Sequence, residues 1–213
     1  MAIICPAILA EDEQEYKKQI ENIATSATRI QIDLTDGVFA TSKTIKISQV
    51  WLPHNLKADL HLMYKNPINY IDDAINLNPS LIIVHAEAEG NFFEIAQRVK
   101  TSGIKIGICL LPETPVSTIH PIINQLDHVL IFSGNLGHFG GTANLHLTKK
   151  VGELKQIRHN LEVGWDGGVN DENALLLVKA GVDVLNSGGY IQNSKNPKSV
   201  YNKLLTSIHQ VVL

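Results

Sequence analysis

Arg29-Ile-Gln-Ile-Asp-Leu-Thr-Asp-Gly37 is the stretch whose reading decides the fold. Aliphatic Ile30, Ile32 and Leu34 alternate with polar Gln31, Asp33 and Thr35, a period of two that marks a strand. The strand runs into Asp36-Gly37, a turn signal. Polar side chains sealed in a core are costly without partners, so a strand polar along one face makes sense if its C-terminal end opens onto a site. Ala58-Asp-Leu-His-Leu-Met63 and Glu162-Val-Gly-Trp-Asp-Gly-Gly168 have the same form. The functional reading turns on whether Asp33, His61 and Asp166 meet.

Outward from this strand the chain alternates. The apolar opening up to Leu9 predicts a first strand, and 11–26 an amphipathic helix with an acidic first turn. After the second strand come a loop over 36–44 and a short helical piece near 47–52. Residues 56–63 form a third strand, and Asn66-Pro67 opens a helix to about 78. The aliphatic run 81–85 is a fourth strand before a helix over 91–101. A fifth strand covers 104–111, with a helix opened by Pro115. The sixth strand, 127–132, leads to the glycine-rich loop 133–141 and a helix to about 160. Residues 161–165 form a seventh strand before a helix over 171–180, and 182–185 an eighth before a last helix over 198–211.

Eight such units, at roughly 27 residues each, predict a (β/α)8 barrel, an α/β fold of the TIM type, as one domain over residues 1–213. The uniformly aliphatic fourth and sixth strands suit a parallel sheet covered on both faces. The rival, a doubly wound open sheet, would carry a GxGxxG fingerprint after an early strand, and the sequence has none. Its glycine pairs instead follow strands six, seven and eight, where barrels place phosphate sites.

Composition sets the class. With 44% hydrophobic and 18% charged residues and a net charge of −3, the chain reads as globular, without a basic footprint for nucleic acid or an anionic membrane. Cys5 and Cys109 form no CxxC pair, which predicts reduced thiols in a cytoplasmic protein. The apolar start lacks the basic region of a signal peptide and is too short to span a bilayer.

Asp33, His61 and Asp166 fall near the C-terminal ends of strands two, three and seven, so in a barrel they face one mouth. One aspartate at a strand end serves as a turn or helix cap as readily as a catalyst. Three titratable groups at equivalent ends favour a site, in which two carboxylates flanking a carbon act as base and acid. Gly167-Gly168 and Gly188-Gly189 let backbone N–H groups approach an anion, with Gly140-Gly141 a further phosphate contact or part of a lid. Each pair alone would equally serve a tight turn. His85 reads as a hydrogen-bonded core histidine or a catalytic one. His120, His128, His138, His146 and His159 lack ligand spacing and read as structural.

Together these residues resemble the ribulose-phosphate 3-epimerase family nearly end to end. Cys5-Pro-Ala-Ile-Leu9 is similar to its opening strand, and Ile32-Asp-Leu-Thr-Asp-Gly37 to its Val-Asp-x-Met-Asp-Gly. His61-Leu-Met63 with Asn66-Pro67, Val84-His-Ala-Glu87, Asn135-x-Gly137, Phe139-Gly-Gly141 and Asp166-Gly-Gly168 follow in the family's order. The resemblance implies a phosphate-binding barrel that inverts the hydroxyl-bearing carbon next to the ketone of a ketose phosphate such as ribulose 5-phosphate. It assigns Asp33 and Asp166 as the base and acid that exchange roles through an enediolate. It also implies a divalent metal (zinc, iron or manganese) held by two histidines and these two aspartates, and a homo-oligomer. Ala7, Met63 and Asn135 would line the substrate.

The departures are informative. Gln31 stands where the family has its first metal histidine, leaving Asp33, His61 and Asp166 as ligands, and an amide oxygen is a poorer zinc ligand than imidazole. Ala7 replaces a serine, Thr35 and Phe132 replace methionines, Leu136 replaces a proline, Gly189 replaces a serine, and the loop near His138 is longer by one residue. Three readings stay open: an epimerase with a weaker or different metal, a related enzyme on another sugar phosphate, and a non-catalytic sugar-phosphate binder. The related hexulose-phosphate synthases and ketogulonate-phosphate decarboxylases carry Asp-x-Lys-x-x-Asp after strand three. Here Asp59-Leu-His61 puts histidine at the lysine, which disfavours that branch.

Overall fold

The computed structural model describes residues 2–209. Eight parallel strands close a barrel in chain order: β1 (Ile3–Ile8), β2 (Arg29–Thr35), β3 (Lys57–Met63), β4 (Leu81–His85), β5 (Lys105–Leu110), β6 (His128–Phe132), β7 (Glu162–Asp166) and β8 (Val184–Ser187). The outer layer holds α1 (Glu13–Ile23), α2 (Ile71–Asn76), α3 (Phe92–Thr101), α4 (Thr148–Ile157), α5 (Ala174–Lys179), a one-turn α6 (Gly189–Gln192) and α7 (Pro197–His209). No helix among the described residues is long and apolar enough to cross a membrane.

Local chemistry sets the ends. Asp12 caps α1 by accepting the Glu15 N–H at 2.8 Å, which trims the helix from the expected 11–26. The segment opened by Pro115 is not an α-helix but a 3-10 stretch, Val116–Gln125. Pro121 lies inside it, and a residue without an N–H cannot continue an α-helical ladder. The expected helix over 66–78 divides into a 3-10 turn, Pro67–Tyr70, and α2. β8 continues two residues past Leu185, so Asn186 and Ser187 are strand residues, and α6 was not anticipated. The last two residues of the expected final helix lie outside the described residues.

Strand parity divides the core. One large apolar cluster joins outward side chains such as Ile30, Ile32, Leu34 and Trp165 to the helices. A small one (Leu81, Ile83, Cys109, Leu130 and Phe132) fills the barrel axis. Below it lies a charged floor at the strand starts. There the Arg29 guanidinium donates to both Glu162 carboxylate oxygens at 2.9 Å and to Asp59 Oδ2 at 2.7 Å, and His128 Nδ1 meets Glu162 Oε1 at 2.8 Å. Glycine at 164 makes room, since a Cβ there would lie 2.5 Å from His128 Nε2. Both cysteines are free and buried.

Candidate active site

The polar face of β2 points into the mouth of the barrel. Register pairs Asp33 with His61 on β3, while Phe132, Asp166 and Asn186 align across β6, β7 and β8. Asp33 and Asp166, distant in the chain, meet at one amide: Gln31 Nε2 donates to Asp33 Oδ1 at 2.9 Å and to Asp166 Oδ2 at 2.5 Å. His61 Nδ1 lies 2.8 Å from Asp33 Oδ1 and 3.7 Å from Asp166 Oδ2. Gln31 and His61 are fully buried, and Asp33 and Asp166 retain 7% and 9% exposure, enough to reach the cavity above.

Burial, and then the negative charge of Asp33, push the Asp166 carboxyl up to about 7, against the opposing pull of His61 and the Gln31 hydrogen bond. Near neutrality the Asp166 carboxyl therefore still carries a proton for part of the time, where it would ordinarily have lost it. A base and an acid side by side are what exchange of a carbon-bound proton needs.

These donors fit a divalent cation. Asp33, His61 and Asp166 each bring one ligand atom within 4.8 Å of the others. Gln31 Oε1 is buried without a hydrogen-bond partner, and an amide rotation would add it to the set. An oxygen-rich set with one imidazole moves preference from zinc toward harder ions. A second cluster of His61, His85 and Cys109 shares the 4.8 Å spacing. Burial drives the Cys109 thiol well above its ordinary value, so it keeps its proton and ligates poorly.

Above the carboxylates opens a cavity of about 220 Å³, several times the ~30 Å³ share of one water. Asp33, Asp166, Ala7, Met63 and Asn135 line it, as do Gly140-Gly141, Gly167-Gly168 and Gly188-Gly189. Glycine is required at 167, where φ is +112° and a Cβ would lie 2.0 Å from the Gly134 nitrogen. At 188 a Cβ would lie 2.5 Å from the Phe139 ring, so the loop after β6 folds directly onto the turn after β8.

Two residues gain a place that the sequence left open or unread. Asn186 lines the cavity beside Asp166, and both its side-chain polar atoms are buried and unpartnered. Its signal was a polar residue directly after an apolar strand. His85 Nε2 lies 2.9 Å from His61 Nε2, which ties it to the aspartate cluster. His128, read as structural from its spacing, belongs to the barrel floor.

Known proteins resemble this chain over nearly its whole length. A family model described as the Ribulose-phosphate 3 epimerase family matches residues 3–192. The ribulose-phosphate 3-epimerase of Helicobacter pylori is 36% identical over 205 residues, 92% of this chain and 93% of its own. That of Bacillus subtilis is 31% identical over 214 residues, 96% of this chain and 98% of its own. Among solved structures, 3-keto-L-gulonate-6-phosphate decarboxylase from Vibrio cholerae superposes with a TM-score of 0.75 at 14% identity, covering 98% of each chain. The 3-hexulose-6-phosphate synthase of Salmonella typhimurium gives 0.72 at 11% identity, covering 98% of this chain and 99% of its own. Those two likenesses speak to the barrel alone, whereas the family model and the two epimerases follow this sequence nearly throughout: the chain belongs to the ribulose-phosphate 3-epimerase family.

Proposed function

We propose that the protein epimerises a ketose phosphate of the ribulose 5-phosphate/xylulose 5-phosphate type. The observation that carries the reading is the meeting of Asp33 and Asp166, one holding a proton near neutrality, beneath a glycine-rimmed cavity. In this mechanism the ionised aspartate removes the proton from the hydroxyl-bearing carbon next to the ketone, leaving an enediolate. The protonated aspartate returns a proton to the opposite face, inverting that carbon, and the roles exchange for the reverse direction. Gln31, donating to both, holds the two carboxylates in register. The bare backbone at Gly167-Gly168 and Gly188-Gly189, with Gly140-Gly141 on the covering loop, would take the phosphate.

A divalent cation would be held by Asp33, His61 and Asp166, joined by Gln31 Oε1 where the amide turns over and gives up its two donations, and would supply Lewis-acid stabilisation of the enediolate's negative charge. Gln31 in place of an imidazole favours manganese or iron over zinc here.

Incubation with ribulose 5-phosphate in D2O tests the proposal. The expected result is xylulose 5-phosphate carrying deuterium at the inverted carbon. Binding without exchange would make the protein a sugar-phosphate binder instead, and exchange confined to hexulose phosphates would move the substrate.

A further inference from the structure

Two imidazoles and two carboxylates stand in series beneath the cavity. His61 Nδ1 meets Asp33 Oδ1 at 2.8 Å, His61 Nε2 meets His85 Nε2 at 2.9 Å, and His85 Nδ1 lies 3.5 Å from Glu87 Oε2. The rings lie end to end and nearly coplanar, with centroids 5.0 Å apart and an interplanar angle of 23°. Both are fully buried, and Phe39 packs on His85 with centroids 4.6 Å apart. Neither His85 nor Glu87 lines the substrate cavity.

A neutral imidazole carries one N–H and one lone pair, so the bond between the two rings fixes both outer nitrogens. Only two arrangements exist. In the first, His85 Nε2 donates, His61 bears its proton on Nδ1 toward Asp33, and His85 Nδ1 is bare. In the second, His61 Nε2 donates, His85 Nδ1–H points at Glu87, and the bare His61 Nδ1 faces the two aspartates. The distances are those of the first. The Asp33 end is closed, while His85 Nδ1 and Glu87 Oε2 are both buried without a hydrogen-bond partner. Glu87 Oε1 is engaged, accepting the Leu111 N–H at 3.0 Å, which leaves Oε2 facing His85 Nδ1 at 3.5 Å without a well-formed hydrogen bond.

We infer that His85 and Glu87 are positioning residues that hold the second arrangement in reserve and so set the lone pair of His61 that a divalent cation requires. The inference rests on reading Asp33, His61 and Asp166 as the cation site. A cation at His61 Nδ1 displaces the proton there. That proton leaves to solvent, the inter-ring proton crosses from His85 Nε2 to His61 Nε2, and His85 Nδ1 takes up one from solvent on the side of the partly exposed Glu87, so the number of protons on the pair does not change. Outer partners that orient a ligating histidine are typically worth ~10–100-fold in metal affinity.

Glu87→Gln tests the relay. Its amide oxygen can stay on the Leu111 N–H, which turns the NH2 toward His85 Nδ1 and demands a bare nitrogen there, locking the first arrangement. Mn2+ affinity is measured by electron paramagnetic resonance, and the tautomers by long-range 1H–15N imidazole spectra with and without Zn2+. The wild type is expected to move the His85 proton from Nε2 to Nδ1 on zinc loading. E87Q should keep it on Nε2 and bind Mn2+ at least ~10-fold more weakly. Equal Mn2+ affinity in the two proteins, or a zinc-loaded wild type with His85 still protonated on Nε2, overturns the relay. The wild-type spectra decide this without any variant. A wild type that takes up neither ion removes the cation reading, and the relay with it.

Discussion

Replacing Asp166 with Asn should make the protein's stability less dependent on pH while removing turnover. The carboxyl sits near 7 in the folded chain, against an ordinary value of 3.8. Because the folded value is raised, its stabilising contribution is fully present below the ordinary value and is lost as pH rises through about 7. The full span corresponds to about 4 kcal/mol, of which about 2 kcal/mol falls between ~pH 5.5 and ~pH 8. Asn cannot titrate, and its Oδ1 can still accept from Gln31. The stability difference between wild type and D166N should therefore swing by about 2 kcal/mol across that window, in favour of the variant at the alkaline end. Urea unfolding in the presence of a chelator, at several pH values, measures it. Turnover should fall at least ~10²-fold, the usual scale for an acid or base. A stability difference that stays flat with pH would show that Asp166 does not titrate there, and unchanged turnover would remove it from the chemistry.

Asn186→Val deletes two buried, unpartnered polar atoms beside Asp166. It should raise the melting temperature yet lower kcat/KM about tenfold, the worth of one hydrogen bond to substrate; unchanged kcat/KM would show that the amide does not touch the sugar. Gln31→His should raise the zinc retained after dialysis, because imidazole is the better ligand; equal zinc in both forms counts against a site built at residue 31. Arg29→Met strips the floor of its guanidinium and leaves Asp59 and Glu162 without their cation, which should cost about 3–5 kcal/mol in urea unfolding. A loss below ~1 kcal/mol would mean that the floor is wet and screened.

The barrel was legible because closure obliges every second side chain to face the axis. Ile30, Ile32 and Leu34 could only be the helix side, and Gln31 and Asp33 the inner side, once the period was read. Proline misled at 115, where its favoured place at a helix start outweighed the second proline six residues on. Asn186 escaped because the eighth strand was ended where its apolar run ended, although the mouth of a barrel is where a strand turns polar. Nothing linear could have joined His85 to His61. They lie on adjacent strands in a register that pairs His61 with Ile83, and only that offset brings the rings together. The floor was hidden for the same reason: Arg29, Asp59 and Glu162 are 30 and 133 positions apart, and charges at strand starts read as solvent-facing.

That floor bears on the chemistry above it. Arg29 is a buried cation inside the same barrel as two uncompensated carboxylates, yet Asp59 and Glu162 engage all three of its donor nitrogens. Its own proton is held more tightly than in free arginine, with burial opposed by those two acids. The apolar layer of Leu81, Ile83, Cys109, Leu130 and Phe132 occupies the axis of the barrel. Had the guanidinium reached the mouth, its charge would have pulled Asp166 down toward the ordinary carboxylate range, and the shared proton would be gone at neutral pH. Separate compensation of the floor is therefore what leaves the mouth short of positive charge. That deficit is the common origin of the raised Asp166 and the amide shared between two carboxylates, and it is what fits these donors to a cation.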